Sequence, residues 1–302
     1  MGTRTKAAQS GGRPAAAVEL TPQGVLAAAL PARNAAAVYA FEALPAGALT
    51  PSLTEANVQQ PETLAAAIKT ALEAVGPRTR AVTLVLPDTA VRVFVLDFDS
   101  LPSRAAETLE VLRFRLRKMV PFDVERAGVS YQVLSAGKDA ARVLVATTAA
   151  QVLEEYESAV RAAGYDPGAV LPAGLAALAG LQGEEPVLAA CMNGLSLTTA
   201  ITRGTDLLLY RTADLPADAA ARLAEVQRDI AVAAAYFEDT MAARPERVLY
   251  AGIGSADEFA RWTGERELRV VEMAKRPTQG AMTALGELSV AGVDGALAGA
   301  SA

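Results

Sequence analysis

The residue types that most often carry out chemistry in proteins are scarce in this chain. Its 302 residues include no histidine and a single cysteine, Cys191. Histidine general bases, histidine metal sites and Ser-His-Asp or Cys-His nucleophile pairs are therefore excluded. A lone cysteine also excludes an intramolecular disulfide, a Cys-x-x-Cys redox pair and a structural zinc site. Because Cys191 stands among small and apolar neighbours, we expect an inert thiol in the core.

A glycine-rich turn is the first pattern that could bind a ligand. Gly252-Ile253-Gly254-Ser255 follows a predicted strand. Glycine lets a backbone approach a bound molecule closely, so Gly252 and Gly254 could contact the adenosine of a nucleotide. The alternative is a turn that only connects a strand to a helix. The nearby Trp262 could stack on a ligand or simply pack in the core.

A basic cluster is the second such pattern. Arg113, Arg115, Arg117 and Lys118 crowd the end of a predicted helix over residues 103–119, with Ser103 as its N-cap. The cluster could bind an acidic partner or lipid headgroups, or it could be a solvated helix end. The adjoining apolar residues could line a groove or belong to the core. The predicted partner-binding set is Leu112, Arg115, Arg117, Pro121 and Phe122.

The bulk composition narrows the classes of partner. The formal net charge is −6 and the sequence pI is near 5.0, which disfavours nucleic acid. Residues 1–14 are polar and lack an apolar signal core, so we expect a disordered leader and no N-terminal anchor. A content of 52% hydrophobic residues is typical of a folded protein, and the lone cysteine fits a reducing cytoplasm.

The order of predicted elements is repeated in two halves. Residues 15–44 read as a three-stranded meander that turns at Pro22 to Gly24, and a helix follows at 61–75. Residues 187–211 form a second meander with turns at Asn193-Gly194 and Arg203-Gly204, followed by a helix at 216–241 and further strands. The Ala/Leu/Gly-rich stretch up to Gly183 is predicted as a buried helix, and a similar helix is predicted at the C-terminus.

This order predicts an actin/hexokinase-like (ribonuclease H-like) α/β fold with two domains. The polar break at Glu184-Glu185-Pro186 divides a first domain, 15–183, from a second, 184–302. Within the first, residues 81–164 are predicted to form an inserted α+β subdomain.

Several motifs in the same order resemble PilM, the actin-like family of type IV pilus assembly. They are Leu-Val-Leu-Pro-Asp at 84–88, Lys-Met-Val-Pro-Phe at 118–122, the strand at 129–134 and Ala-Gly-Tyr at 163–165. The resemblance extends over about residues 15–298. The cytoplasmic domain of the type II secretion protein GspL is similar to the same pattern.

The resemblance implies a non-enzymatic scaffold at the cytoplasmic face of the inner membrane. Its partner would be the cytoplasmic tail of a PilN-like inner-membrane protein, bound beside the inserted subdomain. Pilus assembly ATPases are further expected partners, and a homodimer could form through the Ala/Gly-rich helices. The choice between a pilus and a secretion machine stays open.

The nucleotide site of actin-like proteins uses two Asp-x-Gly phosphate loops, and neither is present here. The first counterpart, residues 19–24, has no Asp-x-Gly, and the second reads Ala190-Cys191-Met192. Magnesium needs carboxylates fixed near the phosphates. We therefore expect no metal, no ATP and no catalysis. The alternative is an actin-fold ATP-binding protein, ATPase or small-molecule kinase.

Overall fold

The computed structural model of the protein describes residues 13–32, 35–137, 139–264, 268–274, 288–298 and 300. No helix within this part of the chain is both long enough and apolar enough to cross a membrane. Of the predicted leader, residues 1–12 lie outside the described residues, and Arg13 forms an isolated β-bridge with Ala300.

The described chain contains thirteen strands and seven α-helices. The strands are β1 (Ala16–Thr21), β2 (Gly24–Ala29), β3 (Val38–Ala43), β4 (Ala81–Leu86), β5 (Arg92–Phe98), β6 (Gly128–Ala136), β7 (Ala141–Thr148), β8 (Asp166–Pro172), β9 (Pro186–Asn193), β10 (Ser196–Arg203), β11 (Asp206–Asp214), β12 (Arg247–Gly252) and β13 (Arg269–Glu272). The helices are α1 (Pro61–Val75), α2 (Ala105–Leu116), α3 (Ala150–Ala162), α4 (Ala173–Ala179), α5 (Ala219–Met241), α6 (Ala256–Thr263) and α7 (Ala291–Ala298).

Two five-stranded sheets have the same topology. The first has the order β3-β2-β1-β4-β8 and the second has the order β11-β10-β9-β12-β13. In each, a three-stranded antiparallel meander is continued by two parallel strands. Both predicted meanders are confirmed. Gly194 and Gly204 turn the second with positive φ of 61° and 57°, a conformation that glycine adopts without steric cost.

Helices cover both sheets, and two small-residue helices fill the space between them. Helices α1 and α3 pack on the outer face of the first sheet, and α5 and α6 pack on the second. Helices α4 and α7 contact the first sheet through one apolar cluster, and they contact β9 and β12 through another. Gly295 of α7 approaches the backbone of α4 at Ala176, so the two Ala/Gly-rich segments pack against each other.

A third sheet belongs to a smaller unit. It has the order β5-β7-β6 and is antiparallel throughout. Helix α2 packs on it through a core that includes Leu112, Leu116 and Val143. We call β5, α2, β6 and β7 the small unit. It is shorter than the predicted span 81–164, because β4 is a strand of the first sheet and α3 packs against α1 and β8.

Two local predictions were wrong, and part of a third cannot be compared. The stretch predicted as one buried helix before Gly183 contains strand β8 followed by the short helix α4. Helix α2 begins at Ala105 with Arg104 as N-cap, so Ser103 does not cap it. The C-terminal helix, predicted over residues 281–298, is present as α7, and residues 281–287 lie outside the described residues.

Candidate functional site

The cleft between the two large sheets is the counterpart of the phosphate site sought in the sequence. The turn between β1 and β2, the end of β9 and the start of α7 meet there. They enclose a cavity of about 40 Å³, lined by Glu19, Thr21, Gln23, Asn193, Ser289 and Gly292 among others.

Two acidic side chains are buried at this cleft. Glu19 lies on β1, and Asp88 lies in the 3₁₀ turn that follows β4. The Asp88 carboxylate accepts the Gly174 backbone N–H at 3.0 and 3.1 Å and the Thr198 hydroxyl at 3.0 Å. Glu19 is only 7% exposed, and its Oε2 has no hydrogen-bond partner among the described residues. The sequence search for Asp-x-Gly missed both, because they belong to no common motif.

Burial controls the protonation of both carboxyl groups. Burial and, to a smaller extent, the nearby Asp88 raise the pKa of Glu19 to about 8, against the opposing effect of a hydrogen bond from Asn193. Burial also raises the pKa of Asp88 to about 6, against the opposing effects of Gly174, Thr198 and Arg92. Glu19 is therefore mainly neutral at pH 7, which explains how it is tolerated in the interior.

The charges that line the cleft are acidic rather than basic. None of the cleft-lining residues that the structure describes is a lysine or arginine, whereas Glu19 lines it directly. The backbone N–H of Gly24 is already used, because the Thr21 hydroxyl accepts it at 3.2 Å. Burial raises the pKa of the Cys191 thiol, which makes its thiolate rare. Within the described part of the chain, no three acidic or cysteine side chains cluster as metal ligands would.

We expect stability to fall as the pH rises from about 4.5 to about 8, because the folded state holds the Glu19 proton longer than the unfolded chain. Between pH 6 and pH 8, the free energy of unfolding should fall by about 2 kcal/mol more in wild type than in Glu19→Gln. Urea unfolding at the two pH values measures this. The exposed Glu62→Gln is the matched control, and an identical pH dependence in wild type and Glu19→Gln would contradict the assignment.

A larger cavity of about 340 Å³ lies beside the cleft in the second sheet. Gly254 lines it, together with Met192, Gly194, Arg222, Tyr250, Ile253, Glu258, Phe259, Arg261 and Trp262. The Tyr250 and Phe259 rings stack with centroids 4.2 Å apart. The volume lies in the range of small-molecule sites. Trp262 thus lines a cavity and also packs against the second sheet's core.

The two predicted glycines each have a structural reason. Gly254 has a φ of +79°, which favours glycine. Gly252 lines the smaller cavity instead, and a side chain there would overlap Tyr250 and the Met192 carbonyl. At the start of α6, the Ser255 hydroxyl and the Glu258 carboxylate cap each other's backbone N–H. This capping box occupies N–H groups that an anion would need.

The predicted partner-binding residues separate into core and surface. Leu112 is fully buried under α2, so contact with a partner is incompatible with its position. Arg115 is exposed, with its guanidinium 5.6 Å from the centre of the Phe98 ring. Arg117 is exposed and pairs with Glu125, which raises the pKa of that guanidinium. Pro121 is exposed and Phe122 is half-buried.

The exposed side of α2 carries an apolar residue that sequence reasoning missed. Phe114 is 70% exposed, the largest value among the exposed large hydrophobic side chains of the described chain. Val111 and Met119 are also exposed. The helical spacing does indicate an exposed position, because Phe114 lies on a different face of α2 from Leu112 and Leu116. We define the α2 surface as Val111, Phe114, Arg115, Arg117, Lys118, Met119 and Pro121.

Similarity to solved structures supports the fold. The sequence matches no protein-family model and no curated protein. Among solved structures, a chain of the PilM–PilN type IV pilus biogenesis complex is 19% identical with a TM-score of 0.75, covering 96% of this chain and 99% of that one. The chain has a PilM-like, actin-like fold. The resemblance seen in the motifs is confirmed at that level.

Two weaker similarities accompany it. The cytoplasmic domain of EpsL, an inner-membrane component of the type II secretion system of Vibrio cholerae, is 17% identical with a TM-score of 0.49, over 89% of this chain and 92% of that one. A Bacteroides thetaiotaomicron protein with an actin-like ATPase fold and unknown function is 11% identical with a TM-score of 0.48, over 89% and 94%.

Proposed function

We propose that the protein is a non-enzymatic adaptor of a type IV pilus or related secretion assembly platform, and that it binds the cytoplasmic tail of a PilN-like inner-membrane protein. The observation that carries the proposal is the PilM-like fold over nearly the whole of both compared chains. The protein would lie in the cytoplasm, peripheral to the inner membrane. Assembly ATPases are further proposed partners.

The α2 surface is the proposed contact for the tail. Aromatic and arginine side chains supply much of the affinity of protein interfaces, and Phe114 with Arg115 and Arg117 provides both types. The guanidinium of Arg117 lies 5.9 Å from the centre of the Phe114 ring, so the exposed ring has a cation over one face. The basic patch contrasts with the net charge of −6 of the whole chain. A tail with apolar and acidic residues is complementary to it.

The cleft supports a role without catalysis. A neutral Glu19, an ionised Asp88 and a described lining without lysine or arginine provide no positive charge for a triphosphate. Catalysis of phosphoryl transfer depends on cations placed around the transferred group. The proposed task is therefore binding and positioning of a partner.

Charge reversal at the α2 surface tests the contact. Arg115→Glu combined with Arg117→Glu should weaken binding of the synthetic N-terminal segment of the PilN-like protein at least about tenfold, and Phe114→Ala should do the same. Isothermal titration calorimetry measures the affinity, and a thermal melt verifies that each variant is folded. The matched control reverses two exposed arginines of the second sheet, Arg203→Glu and Arg247→Glu. If wild type, both α2-surface variants and the control all bind the segment with equal affinity, the α2 surface is not the contact for the tail.

A second candidate function is nucleotide binding, and one observation favours it. The cavity of about 340 Å³ combines the half-buried Trp262 with two arginines, Arg222 and Arg261, a lining that suits a planar, anionic ligand. Calorimetry with Mg-ATP separates the candidates. No binding at millimolar ATP is the result expected of the adaptor, and micromolar affinity would favour the second candidate.

A further inference from the structure

Strand β6 is an outer strand of the small unit whose free edge is unprotected. It pairs with β7 on one side, and among the described residues no other strand pairs with it. It is nine residues long, Gly-Val-Ser-Tyr-Gln-Val-Leu-Ser-Ala, and contains neither a charged residue nor a proline. Exposed edges of this kind are templates for pairing with another chain, and proteins usually block them.

The other outer strands of the three sheets all carry such blocking residues. They are Glu42 in β3, Arg92 and Asp97 in β5, Asp166, Pro167 and Pro172 in β8, Asp206, Arg211 and Asp214 in β11, and Arg269 and Glu272 in β13. Strand β5 is also covered, because it packs against β11 and Arg92 pairs with Asp214 at 2.5 Å. The lack of protection is therefore specific to β6.

Helix α2 contacts both β6 and the segment that leads into it. Arg113 donates to the carbonyls of Val124 and Ala127, which belong to the segment that leads into β6. Arg117 pairs with Glu125 of the same segment. The Tyr131 hydroxyl of β6 donates to the Ala105 carbonyl at the start of α2, at 3.4 Å. A chain bound along β6 would therefore lie beside the proposed partner contact.

We infer that β6 receives an extended segment of the partner as a fourth strand, in the order β5-β7-β6-partner. This inference rests on the proposed function and specifies how the tail binds. A short segment outside a folded domain can adopt the extended backbone that strand addition needs. Main-chain hydrogen bonds to β6 hold it, and alternate side chains face the α2 side. The irregular register between Val133 and Ser135 confines the regular edge to about residues 128–133.

Backbone methylation of the tail tests this pairing without altering the protein. In a strand that pairs along one edge, the N–H groups of alternate residues point toward the neighbouring strand. Two synthetic tails are made, one N-methylated at odd positions and one at even positions. One of them should bind at least about tenfold more weakly than the unmodified tail, and the other should stay within about twofold. Equal effects of the two patterns, or no effect of either, would overturn the inference.

Proline on β6 provides the protein-side test. Ser130→Pro and Val133→Pro occupy opposite alternations of the strand, so one removes an outward N–H and the other an N–H that pairs with β7. The variant that keeps the wild-type melting temperature should bind the unmodified tail at least about tenfold more weakly than wild type does. If wild type sediments as a dimer and this variant sediments as a monomer, the edge binds a second copy of the chain. That result would overturn the inference. If the unmodified tail does not bind wild type, the proposed function fails; if it binds and the two methylated tails behave alike, only the strand pairing fails.

Discussion

Gly295→Ala is expected to destabilise the protein by about 3 kcal/mol, near the upper end for overpacked cores. In an ordinary helix interior the same change would stabilise by up to about 1 kcal/mol. The sign reverses because a methyl group on Gly295 would overlap the carbonyl of Ala176, where α7 crosses α4. The obstacle is backbone, which cannot move aside as a side chain can. Urea unfolding followed by circular dichroism measures the loss.

The crossing matters because α4 and α7 join the two sheets. Both helices contact β9 and β12 as well as the first sheet, so a forced separation would disturb both halves. Gly137→Ala is the matched control, since its added methyl would meet only the Ala140 carbonyl at 3.4 Å, an ordinary contact. Unchanged or increased stability of Gly295→Ala would mean that the close helix crossing is wrong.

Leu112→Ala is expected to cost about 3 kcal/mol of stability, because it leaves a cavity in the core of the small unit. The folded fraction should bind the tail with wild-type affinity, since Leu112 is fully buried. Melting curves and calorimetry at a temperature well below the transition separate the two effects.

The neighbouring residue provides the control for this position. Val111→Ala removes two methyl groups from a side chain that is 38% exposed, so its stability should change by less than about 0.5 kcal/mol. If Leu112→Ala keeps wild-type stability but binds the tail more weakly, Leu112 contacts the partner. That result would contradict the structure.

The strand meanders were predictable from the sequence because their signals are local. The turns at Pro22 to Gly24, Asn193-Gly194 and Arg203-Gly204 lie between apolar runs of strand length, and each is a turn in the structure. The helix at residues 61–75 was equally clear, with Pro61 at its start and Gly76 in a left-handed C-cap at its end.

Elements defined by their surroundings were harder to predict. Strand β8 and helix α4 share one Ala/Leu/Gly-rich stretch, and composition alone does not show where a strand gives way to a helix. β8 is a strand because it pairs in parallel with β4, which lies about 85 residues earlier in the chain. Local propensity contains no information about such a distant partner.

The candidate site was predictable only in part for the same reason. Glu19 and Asp88 are distant in sequence, and only the pairing of β1 with β4 brings their strands side by side. The basic cluster was visible in the sequence, but its members have different roles. Arg113 is buried and binds carbonyls, whereas Arg115 and Arg117 are exposed. Helical periodicity placed Leu112 on the same face as Leu116, and that face is the core.

The most direct test of the adaptor proposal is a calorimetric titration of the full chain with the N-terminal cytoplasmic segment of the PilN-like protein from the same organism, with and without Mg-ATP. The proposal predicts saturable binding of one segment per chain, with the same affinity in both conditions. Absence of binding would contradict the adaptor role. Binding that requires Mg-ATP would contradict the proposal that the protein acts without a nucleotide, and it would favour a nucleotide-dependent protein.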